Sequence, residues 1–507
     1  MKIKFSIASI LLASSAGALL AFSFRVPALS FFAWFAFVPF FFALQDKRPA
    51  EVFLLSYLAG LVFWFGTVYW LIHVSLIGLI LLVLYISFYF VFFGFFFRLT
   101  THQQRLSTIT VPLVWIILEW IRSHLITGFG WALLGYSQYL NLSVIQIADI
   151  TGALGVSFVI MAVNVALYRV VIVIVRSDPE RSEGERRSNL KTGPEQTERF
   201  MVRLLRFARH DGMAVIVLVT LAFGYGFYQL HRTPYRLPLD PIKISVIQGN
   251  IPQNEKWGDE FRESILCRYE SLTLDAAKAH PDLIIWPETS VPGVIGDEPE
   301  LLKRVQSLAK RTGMPLLVGS VTSTSRAGNP ESTSYYNSAL LISGTGAVSA
   351  QYDKLHLVPF GEYVPLERYL PFLRQLIGIP IGDFKAGERC IIMRSPVTRH
   401  QAPVKFGVMI CFEDVIPELS KKFVQQGADF LINITNDAWF MKTAAPYQHA
   451  AASVFRAVEN RVPVVRAANT GLSCFIDING RIYDKVNVDK NEIFVVGYST
   501  SKILLKK

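Results

Sequence analysis

Seven apolar runs dominate the first 230 positions, near 5–24, 30–45, 52–73, 76–97, 110–126, 150–175 and 213–230. Crossing about 30 Å of hydrocarbon takes about 20 helical residues, so the pattern predicts a polytopic α-helical membrane domain over 1–230 with about seven spans. The 30–45 and 110–126 runs are short, and either could be tilted or re-entrant. The first run has the form of a secretory signal, with Lys2 and Lys4 ahead of an apolar stretch and Ala16-Gly17-Ala18 within it. Because further spans follow closely, an uncleaved anchor is the expected outcome.

Past a Pro-containing linker at 231–241 the period changes. Short β-branched runs at 242–247, 282–286, 315–321, 339–343, 404–410, 429–434, 462–466, 474–478 and 493–497 predict strands. Helical periodicity over 261–279, 299–312, 417–426 and 448–460 separates several of them. Strands alternating with helices predict an α/β domain over 242–500, followed by a short tail at 501–507 with no transmembrane helix.

Charge sharpens this division. Of the 507 residues 52% are hydrophobic and 18% charged. Only thirteen charged residues fall in the first 175, against 76 in the remaining 332. That asymmetry excludes a disordered chain, a disulfide-built secreted scaffold and a single compact soluble domain. The net charge of +11 does not indicate nucleic acid, because much of the basic excess flanks the apolar runs. Lys2 and Lys4, Lys47 and Arg48, Arg98 and Arg105, and nine Lys and Arg in 176–209 fall on one set of alternate connections. The positive-inside rule then places the N-terminus in the cytoplasm, and an odd number of spans exports the α/β domain.

Within the membrane half, Glu119 and Arg122 are three apart on one helix face. They either form a packing ion pair or face a polar cavity or lipid headgroup. The glycine- and aromatic-rich stretch 127–138 suits a re-entrant segment at the outer leaflet.

Three α/β-domain segments each bring a reactive side chain to the end of an apolar strand: Glu288 after Leu283-Ile284-Ile285-Trp286-Pro287, Lys354 after Tyr352-Asp353, and Cys411 after Val408-Met409-Ile410. Taken singly they read as a helix-starting acid, a surface lysine and an inert buried thiol. Their joint occurrence, in the order Glu, Lys, Cys at strand ends where catalytic groups are placed on a rigid base, is far less expected by chance. The spacings of Cys267, Cys390, Cys411 and Cys474 match no zinc pattern. A pair such as Cys390 with Cys474 could oxidise in an exported domain, but spacing does not choose partners.

These segments resemble the nitrilase superfamily, whose catalytic set is Glu, Lys and Cys. With the polytopic half, the chain is similar to the bacterial apolipoprotein N-acyltransferases. The resemblance runs through Gln248-Gly249-Asn250-Ile251-Pro252-Gln253, Lys256-Trp257, Trp286-Pro287-Glu288-Thr289 and the stretch from Lys354 to Pro365. It continues in Asn436-Asp437-Ala438-Trp439-Phe440, Gln448-His449, Arg466-Ala467-Ala468-Asn469-Thr470-Gly471, Glu119-Trp120-Ile121-Arg122 and Thr127-Gly128-Phe129. Phe412 stands where the family often has Tyr, and Met441 where Gly is usual. Family members often carry a final hydrophobic span, which is not expected after Gly497.

The resemblance implies a four-layer α-β-β-α sandwich joined to the membrane domain, with Glu288, Lys354 and Cys411 catalytic and no cofactor or metal. It further implies a phospholipid acyl donor, typically phosphatidylethanolamine, and a diacylated apolipoprotein acceptor. The expected setting is the bacterial inner membrane, as a monomer with a periplasmic catalytic domain. Supporting roles are expected for Glu362 (holding Lys354 or assisting proton transfer), the Phe412 N–H (oxyanion donor) and Glu413 (orienting the loop beside Cys411 or capping the following helix). Trp257 is expected to clamp a lipid chain or fill a gap. Leu373 and Leu376, in the apolar stretch 366–381, are expected to line a lid dipping into the outer leaflet or to belong to a core helix. His356 and His449 are expected to be structural. A membrane-tethered amidohydrolase using the same three residues is one rival; a transporter or sensor with a soluble extension is the other.

Overall fold

The computed structural model describes residues 6–100, 107–175, 212–232, 241–326, 329–365, 367, 383–395 and 403–505. The chain divides into two compact units: Met1–Tyr69 with Ile80–Gln229, and Trp70–Leu79 with Leu230–Lys507. The ten residues Trp70–Leu79 thus belong with the second unit, although the pattern boundary at 230 assigns them to the membrane half.

Six helices among the described residues of the chain are long and apolar enough to cross a membrane: Ile7–Arg25, Pro27–Leu44, Pro49–His73, Leu76–Thr100, Ala148–Ile172 and Met213–His231. The 110–126 run does form the helix Ser107–His124 but is not among the six. The Pro27–Leu44 span is broken into a 3-10 helix, Pro27–Trp34, and an α-helix, Phe37–Leu44. In hydrocarbon such a break must have its backbone groups satisfied from within. Asn164 does this, accepting from Phe37 N–H at 2.9 Å and donating to Ala33 C=O at 2.8 Å. Gln138 Nε2 adds a bond to Ser30 C=O at 2.8 Å.

Glu119 and Arg122 are buried and hold backbone. Arg122 Nη1 donates to the carbonyls of Phe129 and Trp131, at 2.5 and 2.7 Å, with its guanidinium over the Trp64 ring. Glu119 Oε1 accepts Leu134 N–H at 2.6 Å. Two buried ionisable side chains are therefore used to fasten the irregular segment that follows their helix.

The second unit holds two sheets. β1 (Ile242–Gln248), β2 (Leu283–Ile285), β4 (Leu316–Arg326), β5 (Asn329–Ile342), β6 (Val348–Asp353) and β13 (Gly497–Ile503) line up as β13-β1-β2-β4-β5-β6, with β3 (Val294–Ile295) beside β4. β7 (Ile392–Arg394), β8 (Lys405–Ile410), β9 (Phe430–Thr435), β10 (Val464–Ala468), β11 (Cys474–Ile476) and β12 (Ile482–Tyr483) form the other in reverse order. The helices Arg262–Ala277 and Pro299–Thr312 cover the first sheet, Pro417–Gln425 and Ala445–Asn460 the second, and β1 meets β10 between the sheets. This is the α-β-β-α sandwich. Parallel strands buried on both faces, such as β9 with its unbroken buried run Phe430–Thr435, explain the continuous apolar stretches in the sequence.

Two details differ from the pattern reading. The last strand is Gly497–Ile503 rather than 493–497, and its pairing of Ile503 with Ile242 draws residues 501–503 out of the expected tail into the sheet. The four cysteines are all free, so Cys390 and Cys474 are not bridged.

Candidate active site

Glu288 follows β2 by three residues. Trp286 N–H still bonds Leu317 C=O at 2.8 Å, after which Pro287 ends the ladder because it has no N–H to donate. Gly319 on β4 lets this turn approach, since a Cβ there would lie 2.3 Å from Pro287 O and 2.7 Å from Glu288 Cα. Lys354 follows β6, and its N–H bonds Asn337 C=O at 2.9 Å. Cys411 follows β8 and begins the 3-10 helix Cys411–Val415. Its φ of +54° lies in the left-handed region disfavoured for L-residues, so the nucleophile candidate sits on a strained elbow. Strain at such a position persists only when the surroundings over-determine it.

The structure brings the charged groups together. Lys354 Nζ is 2.8 Å from Glu362 Oε2 and 3.7 Å from Glu288 Oε1, and all three side chains are buried. Asn337 Nδ2 bridges the two carboxylates, donating to Glu288 Oε1 at 2.8 Å and Glu362 Oε1 at 2.7 Å. Val358 N–H adds a 2.7 Å bond to Glu362 Oε2. Lys256 Nζ donates to the backbone carbonyl of Glu288 at 3.0 Å. Burial lowers the Lys256 ammonium to about 8, against the pull of Glu288 and the Cys411 sulfur. The Cys411 thiol is held well above its ordinary value, first by burial and then by the Glu288 charge, with Lys354 and a Thr435 hydrogen bond opposing. A resting thiolate is therefore disfavoured, and attack by this sulfur needs a base at the moment of reaction.

Glu413 ties two of the strand ends together. Its Oε1 accepts the N–H groups of Leu355 at 2.7 Å and His356 at 3.1 Å, and its Oε2 accepts Ile410 N–H at 2.7 Å. Tyr352 Oη donates to both oxygens, at 2.9 and 3.0 Å. Burial pushes this carboxyl up to about 7 while those donors pull it down. Phe412 is in the first turn of the 3-10 helix, where N–H groups have no partner within the helix.

The remaining expected site residues fall elsewhere. Trp257 is 50% exposed, so it fills no internal gap. Leu373 and Leu376 lie outside the described residues. Asn337 is a polar residue within a strand with no local signature, and Lys256, legible only as part of the Lys256-Trp257 motif, lies in a polar turn; only the tertiary fold turns either toward Glu288. His356 is exposed, whereas His449 is fully buried between Asp414 and Asp437. Among the described residues no group of three or more His, Cys, Asp or Glu is placed to hold a metal ion.

Comparison with known proteins places the second unit in a class. Residues 243–500 match the carbon-nitrogen hydrolase family, to which the nitrilase-like sandwich belongs. Saccharomyces cerevisiae Nit3, a member of branch 10 of the nitrilase superfamily, aligns over 53% of this chain and 92% of its own at 17% identity, with a TM-score of 0.39. Residues 16–166 match the apolipoprotein N-acyltransferase N-terminal domain. The apolipoprotein N-acyltransferase of Geobacter metallireducens is 40% identical over 484 residues, 93% of this chain and 86% of the relative. That of Brucella melitensis is 30% identical over 475 residues, 88% and 80% respectively. The chain belongs to the apolipoprotein N-acyltransferase family and is a multi-pass membrane enzyme.

Proposed function

We propose that this protein moves a fatty acyl chain from a membrane phospholipid, through a thioester on Cys411, to the α-amine of the N-terminal diacylglyceryl-cysteine of an apolipoprotein. Family membership gives the lipoprotein acceptor and the acyltransferase class. The observation that supports this route is the elbow at Cys411, set among Glu288, Lys354 and Lys256 with the thiol kept neutral by its surroundings.

In the first half-reaction the Cys411 sulfur attacks the ester carbonyl while Glu288 takes the thiol proton. The oxyanion is met by Lys354 and the Phe412 N–H, the kind of pre-placed charge that contributes most to acyl transfer. Collapse breaks the bond between the acyl carbonyl carbon and the glycerol oxygen, Glu288 returns its proton to that departing oxygen, and a lysophospholipid leaves. In the second half-reaction the neutral α-amine, a group of pKa about 8, attacks the thioester. Its proton goes to Glu288, the C–S bond breaks, and the sulfur regains the proton as the amide forms. Glu288 suits this shuttle because Glu362, at 2.8 Å, is the nearer counter-ion of Lys354.

Phosphatidylethanolamine is the donor this reading favours. The inner membrane, a cytoplasmic N-terminus, a periplasmic second unit and a monomer complete it. The charge asymmetry of the connections supports the N-terminal side, and a periplasmic second unit requires the helix Ser107–His124 to cross as a seventh span beside the six. The test is incubation of the full chain in vesicles with acyl-labelled phosphatidylethanolamine and a diacylglyceryl-cysteine peptide. Label in an amide on the peptide, with lysophospholipid released, supports the reading. Label appearing only as free fatty acid would mark a hydrolase instead.

A further inference from the structure

The backbone carbonyl of Cys411 is held from two sides by buried side chains: Asn433 Nδ2 at 3.0 Å and His449 Nε2 at 3.3 Å. Both donors act on the residue with the strained φ.

We propose that His449, as an imidazolium, is a positioning residue for acyl transfer: through the Cys411 carbonyl it locks the left-handed conformation that presents the sulfur, and loss of its proton releases the lock. The proposal rests on Cys411 being the nucleophile.

The geometry fixes the ring's charge. Nδ1 lies 2.8 Å from Asp437 Oδ1, and Nε2 lies 3.1 Å from Asp414 Oδ1 as well as 3.3 Å from the Cys411 carbonyl. Each nitrogen thus lies within hydrogen-bonding reach of oxygen acceptors, and serving both sides takes a hydrogen on each nitrogen, which only the cation provides. A neutral ring would keep its proton on one side and turn a lone pair toward oxygen on the other.

The charges facing His449 come from three elements. Asp414 is on the Cys411–Val415 turn, Asp437 follows β9, and Arg466 is on β10, donating to Asp414 Oδ2 at 2.9 Å and Asp437 Oδ2 at 3.2 Å. Two buried carboxylates thus balance two buried cations. Arg466 also donates to Asn433 Oδ1 at 2.8 Å, which turns the Asn433 amide so that its NH2 points at Cys411. Gly471 leaves room for this cluster, since a Cβ there would stand 2.0 Å from Asp437 Oδ2. Burial alone would lower the imidazole, but Asp414 and Asp437, with Arg466 opposing, carry it up to about 9.

The test is single-turnover lysophospholipid release by the full chain without acceptor, which isolates formation of the acyl-enzyme. His449→Gln keeps one donor but no charge and is expected to slow this step at least tenfold, with donor KM unchanged and melting within a few degrees. His449→Leu is expected to slow it beyond a hundredfold; should it fail to fold, His449→Gln decides. In a Lys256→Gln background, which removes the other buried cation titrating nearby, the rate should fall through pH 9, and adding His449→Gln should abolish that limb. A limb absent from Lys256→Gln protein, or retained after His449→Gln, overturns the proposal, as does a full-rate His449→Gln enzyme. Wild-type protein that forms no adduct on Cys411 would instead overturn the nucleophile assignment on which the proposal rests.

Discussion

Lys354 Nζ lies 2.8 Å from Glu362 Oε2, a pairing that leaves Glu288 as the carboxylate to which the proposed mechanism gives proton transfer. Glu288 is 0.9 Å further from the ammonium, so its charge is not committed to a tight pair. Glu362→Gln removes the nearer counter-ion and should draw Lys354 onto Glu288, weakening it as a base. Acyl-enzyme formation is expected to fall about a hundredfold, within the range that one general base contributes. Single-turnover kinetics against the melting temperature separates this from unfolding, because Lys354 keeps a partner in Glu288.

Lys256 predicts a pH dependence. Its ammonium is charged below about 8 and neutral above, so the cation beside Glu288 and Cys411 is present at neutral pH and lost as pH rises through 8. The first half-reaction should weaken over that window. Lys256→Gln should lower the neutral-pH rate about tenfold and remove the fall centred near pH 8. Rates measured from pH 6.5 to 9 without acceptor read this directly.

Glu413 predicts a structural coupling between two loops. Glu413→Gln keeps an acceptor for some of the N–H groups of Leu355, His356 and Ile410, whereas Glu413→Ala strands all three near the site. A buried donor left unsatisfied costs about 1–3 kcal/mol, so the Ala variant should melt several degrees lower and lose most acyl-enzyme formation. The Gln variant should retain more of both. Thermal unfolding of the two variants side by side provides the check.

In the membrane unit, Arg122 should be indispensable as a guanidinium. Lys cannot reproduce bonds to two carbonyls together with stacking over Trp64, so Arg122→Lys should loosen 125–134. Limited proteolysis should cut there faster than in wild type.

Local chemistry made some of this architecture legible. The helix Pro299–Thr312 was marked at both ends, by Pro at its first turn and by Gly313 at φ +68°, and β8 by its unbroken apolar run into Cys411. Glu288, Lys354 and Cys411 stood out because each ends a strand. β6 was legible only at its end, where Tyr352-Asp353 leads into Lys354; with one of its six residues buried, the rest of the strand carries no apolar pattern. Asn337 was invisible for a different reason, and Lys256 was legible only as part of the Lys256-Trp257 motif, with no role: each gains its role from a partner far away in sequence, and no local period encodes such a meeting. The division at 230 followed composition, but Trp70–Leu79 did not. Trp70 Nε1 donates to Gln448 Oε1 at 3.0 Å and its ring meets Phe440 at 4.5 Å, contacts that a hydropathy profile cannot carry.

The most direct test of the account is mass spectrometry of the full chain after incubation with labelled phospholipid and no acceptor. A single fatty acyl group on Cys411, released by hydroxylamine and absent from Cys411→Ala protein, is the expected result. An adduct on another residue, or lipoprotein acylation that persists at the wild-type rate in Cys411→Ala, would contradict it.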